Sequence, residues 1–323
     1  MVGRALVEAT AQASENPVQS PAVGFGAQGL RLAVPHVMGV LNVTPDSFSD
    51  GGLYLERDAA VERALHMVEA GAVFIDIGGA STRPGAKEVS VAVQIDRTVP
   101  VIERLAEELS AQQRHDVAIS IDTTSSEVAE AALRAGATVV NDVSAGTHDP
   151  DILALSGEWG ARIVLMHMLG TPQTMQNDPR YDDVIGEVSE YLIERVDIAQ
   201  AAGIPSANIY VDPGIGFGKT LQHNLILIAC LDQLRANVQS PVLLGASRKS
   251  FIGAALGLDV DNRDEATLAT VVWAAQIGAS VVRVHDVEMA CRALALMNAV
   301  EGATVTDSAN KQPQPSSGGP NEG

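Results

Sequence analysis

Eight short apolar runs recur along the chain, each followed by a longer stretch of helical period, and this alternation leaves few folds open. The runs are HVMGVLNVT from His36, VFIDIGG from Val73, VAISID from Val117, TVVNDVS from Thr138, RIVLMHM from Arg162, NIYVDPG from Asn208, PVLLGAS from Pro241 and SVVRVHDV from Ser280. Their near-continuous Val, Ile and Leu character suits parallel strands buried on both faces, and the segments between them have room for crossover helices. From Asp58 to Gly71, Ala60, Ala64, Leu65, Met67 and Val68 recur on one helical face and Gly71 supplies a stop. Ser125 to Gly136 reads the same way, with serines before the helix and a glycine after it. Eight β-then-α units in 323 residues favour a barrel over an open doubly wound sheet. No GxGxxG follows the first strand, as the dinucleotide-binding open sheet requires. The expected fold is an α/β, (β/α)8 TIM barrel in a single domain over 35–302. A partly ordered, flexible N-terminal arm (1–34) precedes it, and a disordered tail rich in Ser, Pro, Gly and Asn (303–323) follows.

Charge narrows the partners. With 40 acidic against 21 basic side chains the formal net charge is -19, which argues against nucleic acid or an anionic membrane as the main partner. A small anionic substrate needs only a local cationic pocket. Cys230 and Cys291 lie far apart and form no CxxC pair, so neither a disulfide framework nor a zinc site is indicated, and a reducing cytoplasm is expected. No apolar run approaches the roughly 20 residues that span a bilayer, and no basic start leads into an apolar h-region.

In a barrel of this type the C-terminal strand ends converge on one face, where the site is placed. Here they supply Asn42; Ser81, Thr82 and Arg83; Asp122; Asn141 and Asp142; His167; Asp212; Ser247, Arg248, Lys249 and Ser250; and Arg283, His285 and Asp286. Any one has a bland reading, such as a helix cap or a turn. Eight strands together are more polar than packing needs. Asp122, Asn141 and Asp212 rise from apolar strands, where an unpaired carboxylate is costly, so a flat nitrogen heterocycle with several N–H donors is their natural complement. Arg83, Lys249, Arg283 and His285 suit a phosphate or pyrophosphate.

Two motifs invite over-reading. GIGFGKT from Gly214 resembles a P-loop, but G-x-x-x-x-G-K-[ST] would need glycine where Pro213 stands. A tight turn into the next helix and a glycine-rich loop over a flat ligand both remain open. His167 has no second ligand at zinc-like spacing, so a satisfied buried histidine is expected. Met166 beside it suits a ring or an ordinary core equally.

The segments MGVLNVTPDSFSDGG, STRPGA, IDTTSSEV, NDVSAG, VLMHMLGTPQTMQ, DPGIGFGKTLQHN, GASRKSFIG and RVHDV together resemble the dihydropteroate synthase family of the folate pathway, from His36 to about Val300. The resemblance implies a cytoplasmic, homodimeric (β/α)8 enzyme. It would join 6-hydroxymethyl-7,8-dihydropterin pyrophosphate to p-aminobenzoate with Mg2+ and be a target of sulfonamides that mimic the second substrate. It further implies that Asp122, Asn141, Met166, Asp212, Phe217 and Lys249 hold the pterin. Asn42, Thr82, Arg283 and His285 would take the pyrophosphate, with Asn42 also a ligand of Mg2+. Phe48, Arg83, Pro84, Phe217, Lys249 and Ser250 would line the aminobenzoate pocket. Asp50, Arg83, Asp122, Lys249, Arg283 and His285 would carry the catalysis.

The chain departs from the family pattern at Ala80, where GGAST replaces the common GGEST, and at Thr124 and Ser125 after Asp122. Neither is a pterin or pyrophosphate position, although both leave room for an altered aminobenzoate pocket and a sulfonamide-insensitive variant. A pterin-binding methyltetrahydrofolate methyltransferase domain would share the barrel, yet it has no use for STRPG, SRKS and RVHDV. A catalytically silent pterin-binding paralogue would have lost strand-end groups that this chain keeps.

Overall fold

The structure, a computed structural model, describes residues 34–43, 53–80 and 89–309. Strands and helices alternate along it: β1 (His36–Asn42), α1 (Leu53–Glu69), β2 (Phe74–Gly78), α2 (Val91–Ala111), β3 (Ala118–Asp122), α3 (Ser126–Arg134), β4 (Val139–Asp142), α4 (Asp151–Glu158), β5 (Arg162–Met166) and α5 (Val184–Ala201). Then come β6 (Ile209–Asp212), α6 (Leu221–Ala229), α7 (Leu231–Val238), β7 (Leu243–Leu244), α8 (Ser250–Leu256), α9 (Asp264–Gln276), β8 (Val281–Val284) and α10 (Val287–Ala309). Each of the eight apolar runs contains one strand.

All pairings are parallel, in the order β6-β5-β4-β3-β2-β1-β8-β7. An isolated parallel bridge between Val211 and Val242, with Val211 N–H donating to Pro241 O at 2.9 Å, brings the two edges together into a nearly closed barrel. β7 is short because Pro241 has no N–H to give to the ladder and the chain leaves the sheet at Gly245. α1 and α3 end as expected: Gly71 and Gly136 take φ of +110° and +115°, and the Ser125 hydroxyl accepts from Val128 N–H. The last helix runs through Ala309, past the expected end of the domain at 302.

The period of two along each strand separates two layers. Ile75, Ile77, Ile121, Ile163, Leu165, Val211 and Val282 face the helices in the larger core. Met38, Phe74, Ala118, Val139, Val164, Leu243 and Val281, with Tyr210 against them, give one residue per strand to an apolar floor inside the barrel. Two residues further along the same faces come Asp76, Ser120, Asn141, Met166, Asp212 and Arg283. The alternation that makes the floor apolar therefore aims this second layer at the mouth.

Candidate active site

Asp76 stands at the centre of the second layer. It is fully buried, and sequence reasoning passed over it because it lies inside a strand run rather than at its end. Its Oδ1 accepts from Ser120 Oγ at 2.6 Å, and its Oδ2 accepts from Asn141 Nδ2 at 2.9 Å and Arg283 Nε at 2.6 Å. Arg283 also donates through Nη2 to Asp122 Oδ2 at 2.8 Å, which leaves Nη1 among its five donors. Asp122 Oδ1 is buried and without a partner among the described residues. The strand register lines up Asn42, Gly78, Asp122 and Asn141, and it pairs Met166 with Asp212.

Burial raises the Asp122 carboxyl to about 7, against the pull of Arg283. Burial raises Asp212 and Asp142 as well. A carboxyl that holds its proton more tightly folded than unfolded contributes stability that is full at low pH and lost as pH climbs through its folded pKa. Asp122→Asn is therefore expected to shrink the fall in Tm between about pH 4 and pH 7, a window set by the ordinary and folded values. A calorimetric pH profile that overlays the native one would refute this.

Asp212 Oδ1 accepts from Gly214 N–H at 2.7 Å, while its Oδ2, Lys249 Nζ and Arg283 Cβ all lie within 4 Å of the point where a Gly245 Cβ would sit. These three groups therefore converge beside Gly245. Lys249 Nζ donates to Ile215 O and lies 4.7 Å from the Phe217 ring centroid, an arrangement that adds cation–π attraction. Burial lowers Lys249 to about 8, opposed by Asp212.

GIGFGKT proves to be a turn into α6, with Gly214, Gly216 and Gly218 all at positive φ. A Cβ on Gly214 would collide with His167 O, so glycine is obligatory there. The turn is clamped from outside by Gln176 Nε2 on Gly216 O at 2.7 Å and Tyr181 Oη on Gly218 O at 2.9 Å. From inside it is held by Lys219, whose buried Nζ donates to Phe217 O at 2.9 Å and to His167 Nδ1 at 2.9 Å. His167 is accordingly the satisfied buried histidine expected: burial and Lys219 push it down to about 3, so its neutral ring accepts.

Ser247 Oγ accepts from His285 N–H at 3.2 Å and lies 2.9 Å from His285 Nδ1. Asp142 turns the other way from Asn141, as strand alternation demands, and accepts from Ser144 N–H, Ser144 Oγ and Gly146 N–H. It builds the loop after β4 and is not part of the mouth. Ser250 opens α8 beside Lys249. Phe48, Asp50, Thr82, Arg83 and Pro84 lie outside the described residues.

The model of the family described as "Pterin binding enzyme" matches residues 38–285. Dihydropteroate synthase of Escherichia coli K12 is 45% identical over 279 residues, 86% of this chain and 96% of that protein. The chain belongs to the dihydropteroate synthase family. Two solved dihydropteroate synthases share its fold. That of Xanthomonas albilineans with 4-aminobenzoic acid has a TM-score of 0.76 at 43% identity, covering 84% of this chain and 94% of that one. That of Yersinia pestis with a sulfonamide drug complex also has a TM-score of 0.76, at 42% identity over 84% and 96%. Within this dihydropteroate synthase barrel, the chain at Ala80 has its own support. Arg97 Nη1 from α2 donates to Gly79 O at 2.8 Å, and a Cβ on Gly79 would press on Thr98 and the Gln94 backbone. The peptide just before Ala80 is therefore fixed from α2 without a carboxylate at position 80.

Proposed function

We propose that this chain is a transferase that condenses 6-hydroxymethyl-7,8-dihydropterin pyrophosphate with p-aminobenzoate, giving 7,8-dihydropteroate and pyrophosphate. The observation that carries the reading is the buried, unpartnered Oδ1 of Asp122 in one ring with Asn141, Asp212 and Lys249. A buried acceptor of this kind is stable only opposite a donor, and the pterin's amino and ring N–H groups supply it. Lys249 donates a hydrogen bond to the ring carbonyl, and Met166 packs against the ring. Arg283 and His285 receive the pyrophosphate together with Thr82.

The reaction is a dissociative displacement. The bond from the exocyclic methylene to pyrophosphate breaks, and its electron pair leaves on the pyrophosphate oxygen, whose charge Arg283 and His285 neutralise. The cation left on the methylene spreads into the ring nitrogens beside the Asp122 carboxylate. The aniline nitrogen of p-aminobenzoate then attacks, forming the C–N bond, and sheds its proton to solvent. Phe217, Lys249 and Ser250 hold that second substrate, with Phe48, Arg83 and Pro84 closing over it and Asp50 on the first loop. Sulfonamides, as mimics of p-aminobenzoate, occupy the same pocket.

Asn42 fits Mg2+, because its amide oxygen is a hard neutral donor beside Gly78 and Asp122. An ion held by Asn42 would take phosphate oxygen and water as further hard ligands, as Mg2+ prefers. When bound, Mg2+ supplies positive charge to the departing pyrophosphate.

The reading is tested by mixing the protein with both substrates and Mg2+ and following pyrophosphate. Release at the rate of dihydropteroate formation is expected; no release from folded protein sinks it. Methyl transfer from methyltetrahydrofolate, with no pyrophosphate formed, would instead favour the methyltransferase rival.

A homodimer working in the cytoplasm completes the proposal. No helix among the described residues is long and apolar enough to cross a membrane. Trp273 on α9 and Leu296 on α10 are 47% and 67% exposed, apolar side chains that a second copy would cover. Light scattering at micromolar concentration is expected to give twice the 33.7 kDa chain mass. A monomer mass overturns this part.

A further inference from the structure

The turn between β7 and α8 holds a conformation that substrate contacts do not explain. Arg248 has φ +56°, the left-handed region that residues with a Cβ enter at a cost. It directly precedes Lys249, whose ammonium reaches back to Ile215 O and the Phe217 ring. Arg248 itself does not point at the mouth: Nε and Nη2 fork onto Asp264 Oδ1 and Oδ2 at 2.7 and 2.9 Å.

The backbone of this residue is gripped on both sides. Its N–H donates to Thr267 Oγ1 at 3.1 Å, and its carbonyl accepts from Arg263 Nη1 at 3.0 Å. Thr267 Oγ1 also donates to the main-chain Arg263 O at 2.8 Å, so the Thr267 side chain is tied to the backbone of the other clamping residue at the start of α9. Arg263 reaches Arg248 by passing over Gly253 of α8, where a Cβ would strike its guanidinium and lie 2.7 Å from Leu258 O. Its Nη2 and Nε are anchored on that same Leu258 O, at 3.0 and 3.2 Å. Strained backbone of this kind persists only where surrounding groups over-determine it, and such strain gathers beside binding groups.

We infer that Arg263 and Thr267 are positioning residues: they hold Arg248 left-handed, and this turn aims Lys249 at Asp212 and the bound pterin. The inference rests on the pterin reading above. Neither residue touches the substrate, and their whole effect passes through the φ of Arg248.

That dependence on φ makes a cycle possible. Arg263→Met and Thr267→Val are made in the native chain and again together with Arg248→Gly, since glycine takes positive φ without strain. Binding of 6-hydroxymethyl-7,8-dihydropterin pyrophosphate is measured by calorimetry, with KM and kcat from pyrophosphate release. In the native chain each substitution is expected to weaken pterin binding by about tenfold, in KM more than in kcat. In the Arg248→Gly background the same substitutions are expected to cost about twofold or less. No loss in the native chain, or an equal loss in both backgrounds, overturns the inference. Thr267→Val removes only a hydroxyl, so it carries the test if Arg263→Met does not fold. Failure of the native protein to bind the pterin pyrophosphate overturns both this and the functional reading, whereas native binding with background-independent losses overturns this alone.

Discussion

Asp76→Ala is expected to lower Tm by roughly 10 °C and to reduce kcat/KM by about 100-fold, although Asp76 touches no substrate. The carboxylate is wholly buried, and three side chains from β3, β4 and β8 spend donors on it. Its removal leaves the largely buried Arg283 guanidinium against Asp122 alone, and breaking a buried pair from one side costs about 3–5 kcal/mol. For a chain of this size each kcal/mol lowers Tm by roughly 2–4 °C. The kinetic loss has a separate cause: Asn141 and Arg283 lose the group that fixes their rotamers, and misplacement by about 1 Å can cost about 100-fold. Asp76→Asn keeps the shape without the charge and should fall between the two. Glu107→Ala is the control, because the Arg104–Glu107 pair is on the surface, where such pairs contribute about 0–1 kcal/mol. If thermal melts place Asp76→Ala level with that control, the central role of Asp76 is wrong.

The contrast between Asp76 and Asp142 shows where sequence reading succeeds and where it stops. The eight strands and their order were legible because a buried parallel strand has to be apolar on both faces, and few other elements look like VFIDIGG or VAISID. Reading only strand ends found Asp122, Asn141, Asp212 and Lys249, all of which the barrel brings together. It also grouped Asp142 with Asn141, though adjacent strand residues face opposite layers. Counting by twos from Phe74 would have placed Asp76 and Gly78 on the inner face and found the missing carboxylate. Lys219 was beyond such counting. Its partner His167 is 52 residues away in sequence, and only the closure of β5 against β6 brings the two side chains together. The clamp on Arg248 was hidden for the same reason, because nothing local marks Arg263 as the donor to its carbonyl.

Lys249→Met and Asp212→Asn are each expected to weaken pterin pyrophosphate binding by about 100-fold, and the double variant to be little worse than either. Asp212 is buried and Lys249 half-buried, and desolvation works against the charge on each: it raises Asp212 and lowers Lys249 to about 8. Each is the largest favourable influence on the other, so the charge on one supports the charge on its neighbour. Taking away the ammonium lets Asp212 protonate, and its Oδ2 then ceases to be a free acceptor for the pterin. Neutralising Asp212 removes the charge that keeps Lys249 protonated, and the ring carbonyl loses its donor. A single substitution thus removes two charged hydrogen bonds, at about 1.5–3 kcal/mol each, which is what makes the expected effect so large. Residues that fail together in this way are strongly non-additive. The same pairing sets the pH dependence: in the native protein the ammonium is lost as pH rises through about 8, so calorimetric affinity should weaken from about pH 7 to about pH 9. Additive losses in the double variant, or affinity level across that range, would mean that Lys249 and Asp212 hold the ligand independently and that their convergence on Gly245 is only packing.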